Sequence, residues 1–237
     1  MVAIRRRADG IPEEFQGIVH DLDEPMTGPL PAVDAMVITL PPGREGSAGY
    51  RVRLNHVAAA LPATPARTVF VSSTGVFERK GEGPIDEFDD PHPTSPRGQE
   101  LRDGEDAARA LFSAVIVRPS GIYGPGREHM VRQVRAGAEV DYSRRTNRIH
   151  EADLARALDR VLTMTEPPAV LHATDSAPAL LGDVVAFIAD ELGLARPPRG
   201  PARHEGIVLD GGLLRSVLGE LEFPDYRAGY RDLLRRG

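Results

Sequence analysis

Short apolar runs alternate along the chain with segments whose apolar residues recur at helical spacing. The clearest run, residues 68–73, places β-branched and aromatic side chains directly before a group of hydroxyl side chains. A continuous apolar run of this length is typical of a strand that is buried on both faces of a parallel sheet. Similar runs predict further strands at residues 2–6, 17–22, 35–40, 114–118 and 169–173.

Amphipathic segments between these runs predict helices at residues 50–61, 96–111, 128–136, 151–163 and 180–192, and two short helices within residues 211–236. Strand followed by helix, repeated, indicates an α/β fold with a doubly wound parallel sheet that helices cover on both faces. Residues 78–95 are rich in Gly, Pro and Asp, which is typical of a surface loop, and residues 119–126 have the composition of a turn.

The composition excludes several classes of protein. The chain of 237 residues is 41% hydrophobic and 27% charged, as expected of a globular protein with a sizeable core. Its net charge of -6 gives no reason to expect nucleic acid as a partner, and no apolar run approaches the length of a membrane span. Cysteine is absent, which excludes disulfides and thiolate chemistry. The first residues lack the order of charge, apolar core and cleavage site that a signal peptide has, so we expect a cytoplasmic protein. We expect its partner to be a small molecule.

Three hydroxyl side chains stand at the carboxyl end of the predicted strand at residues 68–73, namely Ser72, Ser73 and Thr74. Ligands of open α/β sheets bind just beyond the carboxyl ends of such strands. The hydroxyl groups therefore suit a ligand cleft. The same residues also suit a Ser/Thr turn that caps the next segment, and the sequence leaves both interpretations open.

Five motifs occur in order along the chain. They are VFVSSTGVF at residues 69–77, Asp-Glu at 86–87, RPSGIYGPGR at 118–127, NRIHEADL at 147–154 and FPDYRAGY at 223–230. With these motifs the chain resembles the extended and atypical short-chain dehydrogenase/reductases, the NAD-dependent epimerase/dehydratase group. The resemblance implies a single Rossmann-like domain over residues 1–237. Residues of about 120–150 and 175–237 would contribute a small C-terminal α/β substrate lobe to it.

The chain departs from that family at its start. The family begins with a strand and a Gly-x-x-Gly-x-x-Gly turn that holds the cofactor pyrophosphate at a helix N-terminus. The chain has no such turn at its start, where residues 2–6 match the family's second strand; its one Gly-x-x-Gly-x-x-Gly spacing, at residues 43–49, follows the later strand at residues 35–40. The resemblance therefore implies an N-terminally truncated member that lacks the first strand and the Gly-rich loop.

The missing strand normally lies in the middle of the sheet. Because buried backbone groups must be paired, we predict that the strand at residues 2–6 moves over and pairs directly with the strand at residues 35–40. Two alternatives stay open: another chain fills the position, or the sequence itself is a truncated form.

The catalytic motif of the family is also altered. The family places a Tyr and, four residues later, a Lys on the helix after the acidic loop, and Arg97 and Leu101 stand at those positions here. Lys80 is the only lysine, and Val76 precedes it by four residues, so no Tyr-x-x-x-Lys motif exists in the chain. The resemblance thus implies a retained fold with changed chemistry.

Other residues in the matched motifs remain candidates for the site. The candidate catalytic residues are Ser73, Thr74, Tyr123 and His150. The candidate substrate-binding residues are Arg127, Arg148, His129 and Ser120. The seven histidines show no His-x-x-x-His or His-Glu-x-x-His spacing, so no metal site is predicted.

Most of these candidates have a plainer alternative. Tyr123 also suits packing on its own turn, and His150 suits a structural hydrogen bond. The arginines suit surface charge as well as anion binding. Asp86 and Glu87 are either a carboxylate base or solvated acids of a loop.

The resemblance also bears on cofactor and function. Asp21 matches the family's adenine-contacting acid, and Arg5 and Arg6 stand where NADP-preferring relatives place Arg. We expect no cofactor, or NADP if one binds. The favoured function is a cofactor-independent acid/base enzyme of isomerase, cyclase or lyase type that acts on a small polar metabolite. The alternatives are an NADP-dependent epimerase/dehydratase or reductase and a non-catalytic binding protein. A homodimer through the helices at residues 50–61 and 96–111 is also implied.

Overall fold

The computed structural model describes residues 1–43, 48–78, 83–202 and 206–236. The strands are β1 (Val2–Arg5), β2 (Gln16–Val19), β3 (Ala35–Ile38), β4 (Arg67–Val71), β5 (Val115–Pro119), β6 (Gly121–Tyr123), β7 (Arg145–Thr146), β8 (Arg148–His150), β9 (Val170–Ala173) and β10 (Ala179–Leu180). The helices are α1 (Tyr50–Ala60), α2 (Pro96–Phe112), α3 (His129–Arg135), α4 (Glu151–Thr163), α5 (Leu181–Leu192), α6 (Gly212–Leu218) and α7 (Tyr226–Arg236). None of the helices in these ranges has the length and apolar character needed to cross a bilayer.

The central sheet has four parallel strands in the order β3-β4-β5-β9. Its side chains alternate between two cores, as the pleat of a strand requires. Phe70 and Ile116 face a cluster built from α1 and α2. Val69 and Val117 face a cluster that includes residues of α4 and α6. The sheet is therefore covered on both faces, which confirms the predicted doubly wound α/β architecture.

A separate parallel sheet of two strands, β1 and β2, lies beside this core. The prediction that the first strand pairs directly with the strand near Ala35 is wrong, because β1 pairs with β2 and no ladder joins β1 to β3 within the described ranges. Ile4, Ile18 and Met36 nevertheless pack against the same apolar cluster. Side-chain burial thus holds the small sheet in place without backbone pairing to β3.

The segment from Pro119 to Gly126 is more regular than the predicted turn. It contains β6, which pairs in parallel with β8 and sets Tyr123 opposite His150. A second short pair, β7 with β10, is antiparallel. Strands of two or three residues have too few positions to show the period of two by which strands are recognised.

A third apolar cluster joins α3, α5 and α7. Tyr123 of β6 belongs to it, together with Val184 and Ile188 of α5 and Tyr226 and Tyr230 of α7. This cluster lies within the residues assigned from the sequence to a substrate lobe. The division of the chain into a body and a lobe stays a prediction.

Candidate functional site

The carboxyl ends of β4, β5 and β9 lie at one edge of the central sheet, because the three strands are parallel neighbours. The hydroxyl of Thr74, after β4, donates to the carbonyl of Pro119 over 3.4 Å. The backbone N–H of Ser120, after β5, donates to the carbonyl of Ala173 over 3.0 Å. The structure therefore brings Ser73, Thr74 and Ser120 together at the edge where ligands of such sheets bind.

Ser73 takes part in a turn and is only partly buried. Its Oγ accepts a hydrogen bond from the N–H of Gly75 over 3.0 Å and caps a single 3₁₀ turn. This bond uses a lone pair and leaves the hydroxyl proton free to donate. Ser73 therefore does cap the following turn, and this role is compatible with a hydroxyl group that also contacts a ligand.

Directly beneath this turn lies a buried charged network that the sequence reasoning missed. The hydroxyl of Ser72 donates to Glu105 of α2 over 2.7 Å. The guanidinium of Arg118 in β5 donates to both oxygens of Glu105, over 2.9 and 2.7 Å. The sequence does contain one indication of this network: an Arg stands inside an otherwise apolar strand, and a buried charge requires a partner. The network ties β4, β5 and α2 together under the edge that carries Ser73.

Tyr123, a member of the third apolar cluster, contacts His150, with ring centroids 5.2 Å apart. The Tyr123 hydroxyl donates to the carbonyl of Asp225 over 3.4 Å, and burial raises the pKa of this phenol. His150 Nδ1 accepts from the N–H of Ala152 over 3.2 Å and so caps α4, and burial lowers the pKa of the imidazole. These contacts favour the packing and hydrogen-bonding alternatives for both residues.

Arg148 is buried beside a carboxyl group that the sequence reasoning did not select. Its Nη2 donates to Thr146 Oγ1 over 2.7 Å, and its carbonyl accepts from the N–H of Asp175 over 2.7 Å. Asp175 is 1% exposed, and its Oδ1 accepts from the N–H of Ala177 over 3.0 Å. Burial raises the pKa of Asp175 to about 7, while the positive charge of Arg148 opposes that shift. The only feature of the sequence that pointed to Asp175 was its position after the last strand of the central sheet.

Two other candidates are exposed. Arg127 lies 3.6 Å from Glu151 in an ion pair, and His129 is the first residue of α3. The acidic loop is partly docked, because Glu87 accepts from the N–H of His172 over 2.8 Å, and burial raises the pKa of Glu87. Asp86 accepts from the N–H of Phe88 within the loop. Residues 79–82, which belong to the predicted loop, lie outside the described residues.

The candidate cofactor residues lie around the ends of β1 and β2. Arg6 Nε is 3.8 Å from Asp21 Oδ1, and both side chains are about half exposed. Arg5 donates to the carbonyl of Gly10 over 2.5 Å. In the described ranges, no three His, Cys, Asp or Glu side chains gather in a way that could hold a metal ion.

A doubly wound parallel sheet with hydroxyl groups at its carboxyl edge defines a Rossmann-like protein. The family profile described as the RmlD substrate binding domain matches residues 51–197, more than half of the chain. The chain therefore belongs to this family of short-chain dehydrogenase/reductase-like proteins, as the motifs predicted. No curated protein matches the chain.

Solved structures share the fold over nearly the whole chain. A Methylobacillus flagellatus protein assigned by name to the NAD-dependent epimerase/dehydratases is 28% identical, with a TM-score of 0.83 over 99% of this chain and 89% of that chain. The human epimerase family protein SDR39U1 (isoform 2), solved with NADPH, is 18% identical, with a TM-score of 0.80 over 99% of this chain and 90% of that one. UDP-glucuronic acid 4-epimerase from Bacillus cereus, solved with NAD, is 15% identical, with a TM-score of 0.76 and the same coverage.

These neighbours correct one expectation. The sequence led us to expect no cofactor, whereas the similar proteins from human and Bacillus cereus were solved with NADPH and NAD. Proteins that share this fold are thus found with nicotinamide dinucleotides bound. The expectation of no cofactor was wrong because it rested only on two motifs that are missing from their usual positions, whereas structures of the same fold hold the ligand.

Proposed function

We propose that this protein is an epimerase/dehydratase-type enzyme that binds NADP(H) and acts on a small polar or anionic molecule at the carboxyl edge of the central sheet. The observation that carries the proposal is the convergence of Ser73, Thr74 and Ser120 at that edge in a member of this family. Ser73 retains a free hydroxyl proton with which to hold a substrate oxygen.

The residues present fit one end of the dinucleotide. Arg6 and Arg5 are exposed cations at the end of β1, and Asp21 lies beside Arg6 after β2. An arginine suits the 2′-phosphate of NADP, and an acid suits a ribose hydroxyl. For the pyrophosphate, no Gly-x-x-Gly-x-x-Gly turn follows β1 in the sequence, and we assign no residue to it. A bound nicotinamide would supply hydride transfer.

The chain's own residues bind and orient the substrate in this proposal. Ser73 and Thr74 hold the reacting oxygen, and the Glu105–Arg118 pair beneath them fixes their turn. Arg127 and His129 are exposed and hold a negatively charged group of the substrate near the entrance. Because Arg97 and Leu101 replace the Tyr and Lys of the usual dyad, a proton must reach the substrate through these hydroxyl groups or a bound water.

Calorimetric titration with NADPH and NADH tests the cofactor part of the proposal. We expect NADPH to bind at least tenfold more tightly than NADH, and Arg6→Ala to remove that preference, because the 2′-phosphate loses its cation. Arg135→Ala removes an exposed arginine from α3 and is the matched control, with NADPH affinity unchanged. Absence of heat with both nucleotides, or equal affinity in the native protein, would contradict the proposal.

A non-catalytic binding protein is the second candidate. The replacement of the usual dyad by Arg97 and Leu101 favours it. In that case Ser73→Ala would leave the biological activity intact, whereas an enzyme would lose most of it.

Location in the cytoplasm and assembly into a homodimer through α1 and α2 also remain proposals. Val52 on α1 is 46% exposed and offers an apolar contact for a second copy. Light scattering coupled to gel filtration measures the mass in solution, and a monomer across the micromolar range would refute the dimer.

A further inference from the structure

A pocket of about 270 Å³ opens between the β7–β10 pair, the first turn of α5 and the start of α7. Residues 177–180 form one wall, and Arg145, Asp183, Tyr226 and Arg227 supply its polar groups. It is smaller than the pockets that enclose drug-sized ligands, which begin at about 300 Å³. Its size suits a monosaccharide or a smaller molecule.

The charge of the pocket is predominantly positive. Arg145 and Arg227 are exposed at its rim, and within the described ranges neither guanidinium has an ion-pair partner. Asp183 is the one carboxylate among the described lining residues. The Arg227 guanidinium lies 4.4 Å from the centroid of the Tyr226 ring.

A buried arginine adds to this positive charge. Arg148 is 5% exposed, and its guanidinium lies 5.5 Å from the centroid of the same Tyr226 ring. Its Nη1 is buried without a hydrogen-bond partner in the described part of the chain. An unpartnered charged donor is costly in a protein interior, so an anion bound nearby would stabilise it.

Tyr226 provides a directional donor. The side chain is buried, and burial raises the pKa of its phenol, so the hydroxyl keeps its proton at neutral pH. The Tyr226 hydroxyl forms no hydrogen bond with a described residue, which leaves it available to a ligand.

We propose that this pocket binds the phosphate or carboxylate group of a small hydroxylated molecule. Arg145 and Arg227 pair with the anionic group, the Tyr226 hydroxyl donates to it, and Asp183 accepts from a neighbouring hydroxyl of the same ligand. The inference rests on the proposed function in that the ligand we assign is the anionic substrate. It gives that substrate a contact region distinct from Arg127 and His129.

Titration calorimetry at low salt with inorganic phosphate, D-glucuronate and neutral D-glucose tests the pocket. We expect phosphate or glucuronate to bind and glucose not to bind, and the stronger of the two anions identifies the preferred group. Arg227→Ala and Arg145→Ala should each weaken the binding at least tenfold. Arg227→Lys should recover most of it, because the charge is kept while the fork geometry is lost.

Arg235→Ala is the matched control, since it removes an exposed arginine from the same helix outside the pocket. The anion affinity of this variant should equal that of the native protein. Equal affinity in Arg227→Ala and the native protein, or no heat from either anion, overturns the pocket. NADPH affinity measured on the same variants separates the two proposals. The NADPH affinity should depend on Arg6 and not on Arg227. Either proposal can therefore fail while the other is still tested.

Discussion

Asp175 is held away from water at the end of β9, and its ionised form has little compensation. One oxygen accepts from the N–H of Ala177, whereas Oδ2 is buried without a partner in the described part of the chain. Arg148 supplies a favourable charge, but no ion pair within 4.0 Å joins the two side chains, and Asp225 and Asp153 act in the opposite direction. The raised pKa follows from this imbalance.

We predict that the free energy of unfolding falls as the pH rises from the pKa of the Asp175 carboxyl in the unfolded chain to its pKa in the folded protein. The unfolded carboxyl releases its proton near pH ~3.9, whereas the folded one keeps it until about pH 7. Between those values the folded state binds the extra proton, so a rise in pH favours unfolding. Asp175→Asn should reduce the loss of unfolding free energy between pH 5 and pH 8 by about 2 kcal/mol, as measured in urea.

Asp190→Asn is the control for this measurement, because Asp190 is an exposed acid paired with Arg196. Its stability profile should follow that of the native protein. If Asp175→Asn and the native protein show the same dependence on pH, then Asp175 is ionised throughout and the account of its burial is wrong.

At the scale of elements, two helices end in the same backbone conformation with different residues. Ser113, with a φ of 50°, is the C-cap that follows α2, and Gly193, with a φ of 65°, is the C-cap that follows α5. Both angles lie in the left-handed region, where a side chain is strained and glycine is not. No atom lies within 4 Å of the position that a Cβ would take at Gly193, so the effect there is one of backbone conformation alone.

We predict opposite effects for two small substitutions at these ends. Ser113→Gly should raise the free energy of unfolding by about 0.5 kcal/mol, since relief of strain exceeds the added entropy of the unfolded chain. Gly193→Ala should lower it by about 1 kcal/mol. Thermal and urea unfolding of both variants beside the native protein gives the two signs. A stabilising Gly193→Ala would show that the left-handed cap does not control the end of α5.

Most elements could be predicted from the sequence because their apolar periodicity extends over enough residues. The helix predicted at residues 151–163 matches α4, and the strand at 169–173 matches β9 to within one residue. β6 and β8 could not be predicted, because each has three residues and takes its regularity from the other. The capping of α4 by His150 was open from the sequence and depends on an imidazole orientation that only the fold provides.

In the molecule as a whole, the β1–β2 sheet and the central sheet share one apolar cluster, but no ladder joins them in the described part of the chain. β3 is an edge strand of the central sheet, and its Val37 is 38% accessible. Two strands alone are marginal in water, so β1 and β2 depend on Ile4 and Ile18 packing against the common cluster.

We predict that this small sheet opens before the rest of the fold. In hydrogen–deuterium exchange at neutral pH, amides of β1 and β2 should exchange at least a hundredfold faster than those of β4 and β5, which are paired on both sides. Ile18→Ala should accelerate exchange in β1 and β2, whereas α4 serves as the internal reference. Uniform protection across both sheets would show that they unfold as one unit.

Only part of the candidate site could be predicted from the sequence. The convergence of Ser73 and Ser120 followed from strand order, which the repeated pattern supplied. The partners of Arg118 and Arg148 could not be predicted from strand order, because α2 and β9 bring Glu105 and Asp175 to them from distant positions in the sequence. Pairing between β1 and β3 was expected from the need to satisfy backbone groups, and side-chain burial proved sufficient to hold β1 without it.

Hydrogen bonds to residues 207–210 link three distant stretches of the chain. Asn147 donates to the carbonyl of Ile207 and accepts from the N–H of Leu209, over 2.8 and 3.0 Å. Ile85 forms a bridge with Leu209 and exchanges backbone hydrogen bonds with the residues on either side of it. Substitutions in these three stretches should therefore show epistasis, with the effect of each on stability depending on the residues present in the other two.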